Sequence, residues 1–308
     1  MDYRILDRSQ LDIERWNNTI LKTPYAPPYA LSWYLDASSG EQWKALIRGD
    51  YEQVMPLPYK QLLGLKQIYQ PPLSQQLGIY GTNLQKEDIA SFLNRIPAYF
   101  QPACISMNAN LNSHEIEGWK CTQRDNYILD LNQPYDRLRS GYSQGFRSHI
   151  NKNKPKLKVE SFHDVDELNT HFLKIIGHRI GLKKKQLQIA INILKTAYRR
   201  DQAFMIQVLN SDNEWVAQLY FLKMKNRIIK LRAIANSQGR KYCANHLAID
   251  HIIKTYANQD IILDFEGSSI PGVATFFKGF GSTLSPFYFY EREGFIPRLY
   301  DLWRSFKT

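Results

Sequence analysis

The residue types best suited to chemistry stand together in Leu263-Asp264-Phe265-Glu266-Gly267-Ser268-Ser269-Ile270-Pro271-Gly272. The continuous apolar run Ile261-Ile262-Leu263 predicts a buried strand, and the chain leaves it through two carboxylates and a Gly/Ser turn. Loops beyond such strand ends are where open α/β sheets meet their ligands. Asp264 and Glu266 are two apart, so on an extended chain they share a side, where they can take a proton from an amine or bind one. In the structural alternative, Asp264 caps a turn and Glu266 pairs with a cation.

Three other stretches invite an anionic ligand or line a cleft. From Arg137 to Lys158 there are seven cations (Arg137, Arg139, Arg147, Lys152, Lys154, Lys156 and Lys158) and no acid, which suits a phosphorylated partner or a solvated helix end. Gly239, Arg240 and Lys241 precede an apolar-periodic segment, where a helix N-terminus can hold an anion. The polar, aromatic and Pro/Gly-rich run from Tyr69 to Gly81 includes Tyr80 and is placed to line a cleft for an acceptor or to pack as a loop. No Walker loop, G-x-S-x-G elbow or G-x-G-x-x-G turn is present. The histidines lack metal-ligand spacing, so no metal site is expected.

The elements that must position these residues are clearest after residue 156. A strand at 157–162 leads to a helix begun by Asp164 and ending near His178, then a helix over 184–200. Strands at 203–209, 215–224 and 227–235 follow, the last two forming a hairpin across Lys225-Asn226. A helix over 241–257, the strand at 261–263, a short helix at 272–277 and an aromatic strand at 287–290 complete this half. Residues 3–131 repeat the order more faintly: strand, two helices, three strands (43–47, 53–57, 65–69), a helix over 87–100 broken at Pro97, and strands at 104–107 and 127–131. The expectation is an α/β (α+β) protein of two domains, 1–133 and 134–308, meeting near Asn132-Gln133-Pro134.

That succession resembles the GNAT acyltransferase fold, here in tandem. Phe277-Lys278-Gly279-Phe280-Gly281 also resembles the C-terminal Phe-Lys-x-x-Phe-Gly signature of the Fem family of peptidoglycan aminoacyl transferases and their bacterial GNAT-like relatives, with one residue fewer between Lys and Phe. The resemblance implies two GNAT-like halves and acyl or aminoacyl transfer to an amine. Asp264 or Glu266 would accept the proton, and Lys278 would steady the developing oxyanion. It implies substrate contacts from Gly267, Ser268, Phe277, Phe280 and Gly281, and phosphate contacts from Arg147 and Lys152 in the arginine-rich helix entering the second half. Acyl-CoA-dependent members carry a Q/R-x-x-G-x-G/A pyrophosphate loop before the long helix. Here Cys243 and Asn245 occupy its small-residue positions and crowd the backbone a pyrophosphate must approach, which disfavours ordinary CoA binding in this half; acyl-CoA and aminoacyl-tRNA both stay open as donors.

Composition bounds the remaining choices. With 308 residues, 44% hydrophobic and 22% charged, the chain can bury two cores. A net charge of +11 favours anionic small molecules, phosphorylated acceptors or tRNA. Three scattered cysteines form no C-x-x-C pair, which fits a reducing compartment. No apolar run approaches the ~18 residues of a membrane span, and the charged start lacks a signal-peptide core, so a cytoplasmic protein is expected. Besides aminoacyl transfer, the same features suit an acyl-CoA-dependent N-acetyltransferase or a non-catalytic module binding a nucleotide sugar or RNA. In the leading reading, the cleft between or beside the halves is the site.

Overall fold

Several helices begin where a short polar side chain satisfies one of the first free amides. In a computed structural model, which describes residues 2–62, 64–108, 111, 115–177, 184–267 and 271–292, β1 (Tyr3–Asp7) leads to α1 (Ile13–Lys22), where the Asp12 carboxylate accepts the Arg15 N–H. Next come α2 (Ser32–Ser39), ended by Gly40 in the left-handed region (φ 63°), and the strands β2 (Trp43–Arg48), β3 (Gln53–Leu62) and β4 (Leu65–Ile68). A two-residue β5 (Tyr80–Gly81), α3 (Lys86–Leu93), β6 (Phe100–Ser106) and β7 (Lys120–Arg124) follow. The helix expected over 87–100 stops at Leu93, before Pro97, and Phe100 already opens β6.

The chain continues through β8 (Tyr127–Asp130), α4 (Tyr135–Ser140), α5 (Gln144–Asn153), β9 (Lys158–Phe162), α6 (Val165–Phe172) and α7 (Lys184–Arg199). Ser143 caps α5 and Asp164 caps α6, each accepting an amide three residues on. The hairpin partners β10 (Ala203–Leu209), β11 (Trp215–Met224) and β12 (Arg227–Ala235) have the bounds the sequence predicts. The single helix expected over 241–257 is instead α8 (Ser237–Lys241) and α9 (Ala244–Tyr256), separated where Cys243 turns left-handed (φ 53°). The final elements are β13 (Ile262–Asp264), α10 (Pro271–Lys278), β14 (Thr283–Leu284) and β15 (Phe287–Arg292).

Two units result: Met1–Arg124 with Pro286–Thr308, and Asp125–Ser285. The first holds a sheet in the order β1-β2-β3-β4-β6-β15-β7, with β5 paired to β3. Its core includes Met55, Leu57, Phe92, Phe100, Ile105 and Tyr290. The second holds the order β14-β8-β13-β12-β11-β10-β9, antiparallel except between β12 and β13. Its core gathers Leu219, Phe221, Ile249, Ile253, Leu263 and Phe280.

Two strands therefore lie away from their expected halves. The strand near 127–131, expected to close the first half, pairs with β13 in the second unit. The strand near 287–290, expected to end the second half, lies between β6 and β7 of the first unit. The units thus differ from the continuous segments 1–133 and 134–308. Periodicity reports which residues are buried in a strand and says nothing of which sheet it joins.

Candidate functional site

β12 and β13 run parallel and pair through Arg227↔Ile262, Ile228↔Leu263 and Ile229↔Asp264. β13 ends there while β12 runs on to Ala235, so the strands separate at Lys230. The turn that draws the chain away is built by Asp264 and Glu266. Asp264 Oδ1 accepts the Glu266 N–H at 2.8 Å, and Glu266 adopts a left-handed φ of 58°. That conformation ends the strand alternation, so the extended, same-side pairing expected of the two carboxylates does not form.

Asp264 is almost wholly buried and already committed. Its Oδ2 accepts from Arg227 Nε at 2.9 Å and Nη2 at 2.7 Å, and Arg227 is as deeply buried. Both carboxylate oxygens are thus occupied, and accepting a substrate proton would mean breaking an internal ion pair. Glu266 and Gly267 are partly buried at the turn, and Ser268 lies outside the described residues.

Lys230 is the residue that reading the sequence missed. It is partly buried, with Nζ 4.9 Å from the Phe277 ring centroid. Desolvation pushes its pKa down, while the charges of Glu266 and then Asp264 oppose the shift. A signal was available: Arg227, Lys230 and Arg232 are three cations inside an otherwise apolar strand, where an unpaired charge is costly.

Lys278 is exposed, its Nζ 5.6 Å from the Tyr127 ring centroid. Its neighbours in the motif serve packing. Phe277 and Phe280, expected to touch substrate, are buried in the core, where both rings stack on Phe265. A Cβ on Gly279 would fall 2.4 Å from the Phe146 ring, and Gly281 (φ 76°) lies against the Gly141 backbone. These contacts bring α5 to α10: Phe146 packs on Phe276 and Phe280, and the Ser143 N–H donates to the Gly279 carbonyl at 2.9 Å. The basic helix and the turn after Leu263 are thereby joined in one unit. Arg147 Nη1 donates to the Ser140 and Tyr142 carbonyls at 2.9 and 2.7 Å, which ties down the α4–α5 turn, and Lys152 is exposed.

The loop before α9 is internally satisfied. The Gly239 N–H donates to Asn236 Oδ1 at 2.8 Å, and a Cβ there would meet the Val216 carbonyl at 2.0 Å. Arg240 donates to the Ala235 carbonyl at 2.7 Å while remaining exposed like Lys241. The amides of Arg240, Tyr242 and Cys243 bond within the loop. His246, in the first turn of α9, contacts Phe146, Phe276 and His149, and burial followed by the His149 charge pushes its pKa down to about 4. In the first unit, Tyr80 is wholly buried, with its hydroxyl 3.3 Å from the Gln76 carbonyl. An open groove of about 670 Å³ lies elsewhere on the second unit, beside His163, Asp166, Lys195, Tyr198 and Arg199. It is shallow, two of its charges (Asp166 and Lys195) neutralise each other, and it does not border the β12–β13 separation.

The class defined by this architecture is a tandem GNAT-like α/β fold. The chain superposes on the crystal structure of FemX with a TM-score of 0.67 at 13% identity, over 94% of this chain and 97% of that one. It is similar to L-PGS from Bacillus licheniformis (TM-score 0.55, 11% identity, 92% of each chain). A DUF2156 C-terminal domain from Agrobacterium fabrum, assigned to a lysylphosphatidylglycerol synthetase, gives a TM-score of 0.58 at 10% identity over 93% of each chain. No protein-family model matches the sequence, and no curated protein matches it. At these identities the likeness is one of fold.

Proposed function

We propose that the chain transfers an acyl or aminoacyl group to an amine acceptor where β12 and β13 separate. The observation carrying this reading is the parting of two parallel strands at Lys230, with Glu266 in the turn and Lys278 after Phe277. Parted strands leave backbone amides and carbonyls to align a carbonyl donor, and a nearby cation steadies the charge that develops on its oxygen. Lys278, exposed and free to reach a ligand, takes that role.

Aminoacyl-tRNA suits the donor position better than acyl-CoA, because the amides before α9 are spent inside the protein and Gly239 abuts a carbonyl. Arg147, Lys152, Arg240 and Lys241 would meet the phosphates of donor or acceptor, which gives the surplus positive charge a use. The three cysteines are unpaired, in keeping with a reducing, cytoplasmic setting. Among the described residues, no helix is long and apolar enough to cross a membrane.

The test offers charged tRNA, acetyl-CoA and longer acyl-CoAs to the purified protein, with primary amines as acceptors. Transfer from charged tRNA is expected, with binding that weakens steeply as salt rises. Lys278→Ala should cut turnover about 100-fold without shifting the melting temperature. Unchanged transfer in that variant would remove Lys278 from the reaction. Binding without turnover would favour the non-catalytic module.

A further inference from the structure

We infer that Lys230, rather than Asp264, is the group that takes the proton from the attacking amine. The inference rests on the transfer reaction proposed above. Asp264 is unsuited because Arg227 and the Glu266 amide already occupy its oxygens. Lys230 is the first residue of β12 beyond the last β12–β13 pair, so it stands where the strands open.

Its surroundings balance two opposed tendencies. Apolar packing against Phe277 disfavours the ammonium form, whereas Glu266 and Asp264 favour it. Arg227 already offsets the Asp264 charge, which leaves Glu266 as the principal stabiliser of a newly formed ammonium. Lys278 on α10 lies over the Tyr127 ring of β8, whereas Arg232 on β12 donates to Asn169 and lies over the Phe172 ring. An amine whose ammonium form is disfavoured by apolar packing and favoured by a neighbouring carboxylate can take up a proton and give it back.

The step balances without a co-reactant. The acceptor nitrogen forms a bond to the ester carbonyl carbon, and the carbonyl π pair moves onto oxygen. Lys230 Nζ accepts the proton released from nitrogen. The tetrahedral centre then collapses, the ester C–O bond breaks, and the departing alkoxide takes the proton back from Lys230. Ester and amine become amide and alcohol, and Lys230 returns to its neutral form.

Two measurements decide the matter, and the first does not need the transfer reaction. The folded chain is acetylated with acetic anhydride across a pH series, alongside a lysine-containing peptide, and Lys230 is followed by peptide mass spectrometry. Labelling of Lys230 should reach its plateau at a lower pH than the peptide amine. A plateau at the same or higher pH overturns the inference, and so does a Lys230 that never labels, since an amine closed to a small reagent cannot receive a substrate's proton. In the second measurement, Lys230→Arg keeps a long cationic side chain at the position but is permanently protonated and has no usable lone pair. Turnover should fall about 100-fold or more with KM within about threefold, and once the rise due to the acceptor amine's own deprotonation is divided out, a residual rise with pH should remain in the parent chain alone. Lys230→Gln serves as a second variant should Arg not be accommodated, and parental turnover in either sinks the inference. If the parent chain shows no transfer at all, the proposed function fails while the acetylation series still judges Lys230.

Discussion

Asp264 shows how a side chain of the right type is claimed by the fold. Its position after a buried apolar run was legible, because strand ends can be located from sequence. Its partner was not, since Arg227 lies 37 residues away and meets it only through the parallel pairing of β12 with β13. Both members of the pair are buried, so removing one charge strands the other. Asp264→Asn should therefore destabilise the protein by about 3–5 kcal/mol, read from the shift in urea midpoint. A variant with the parental midpoint would show that the pair contributes little to the fold. Lys230 carries the opposite lesson: its cost was visible in an apolar strand, but what makes that cost useful came from the turn and from Phe277.

At the scale of elements, close packing sets the placement of the helices that border the site. Gly239 lets α8 lie against β11, where a methyl group would press on the Val216 carbonyl. A backbone oxygen cannot swing aside as a side chain can, so overpacking here strains the strand itself. Gly239→Ala is expected to cost about 3 kcal/mol. Gly272→Ala, in the exposed first turn of α10 with nothing within 4 Å, should instead stabilise by about 0.5 kcal/mol. Paired thermal melts check both signs. The sequence shows a glycine at each position; only the neighbouring backbone distinguishes the two.

At the scale of the whole molecule, the chain's end belongs to the chain's beginning. β15 supplies an interior strand of the first unit, bonded on one side to β6 and on the other to β7. Arg292 at its end donates to the carbonyls of Ile96, Pro97 and Phe100. A chain stopped after Ser285 would keep every strand of the second unit's sheet and lose from the first the strand that joins β6 to β7. Hydrogen exchange should then find amide protection lost in β6 and β7 and retained in β11 and β12. Equal protection in both strand sets would mean that the first sheet closes without β15.

Local order and burial were written in the residues themselves. The hairpin of β11 and β12, the capped start of α6 and the buried run before Asp264 all follow from short-range periodicity and capping chemistry. The same short range explains what was out of reach. The break at Cys243, the crossing of β8 and β15 into the other sheet, and the meeting of Lys230 with Glu266 and Phe277 depend on contacts between residues far apart in the chain. Such contacts acquire their energy only when the cores close, so tertiary structure alone decides them.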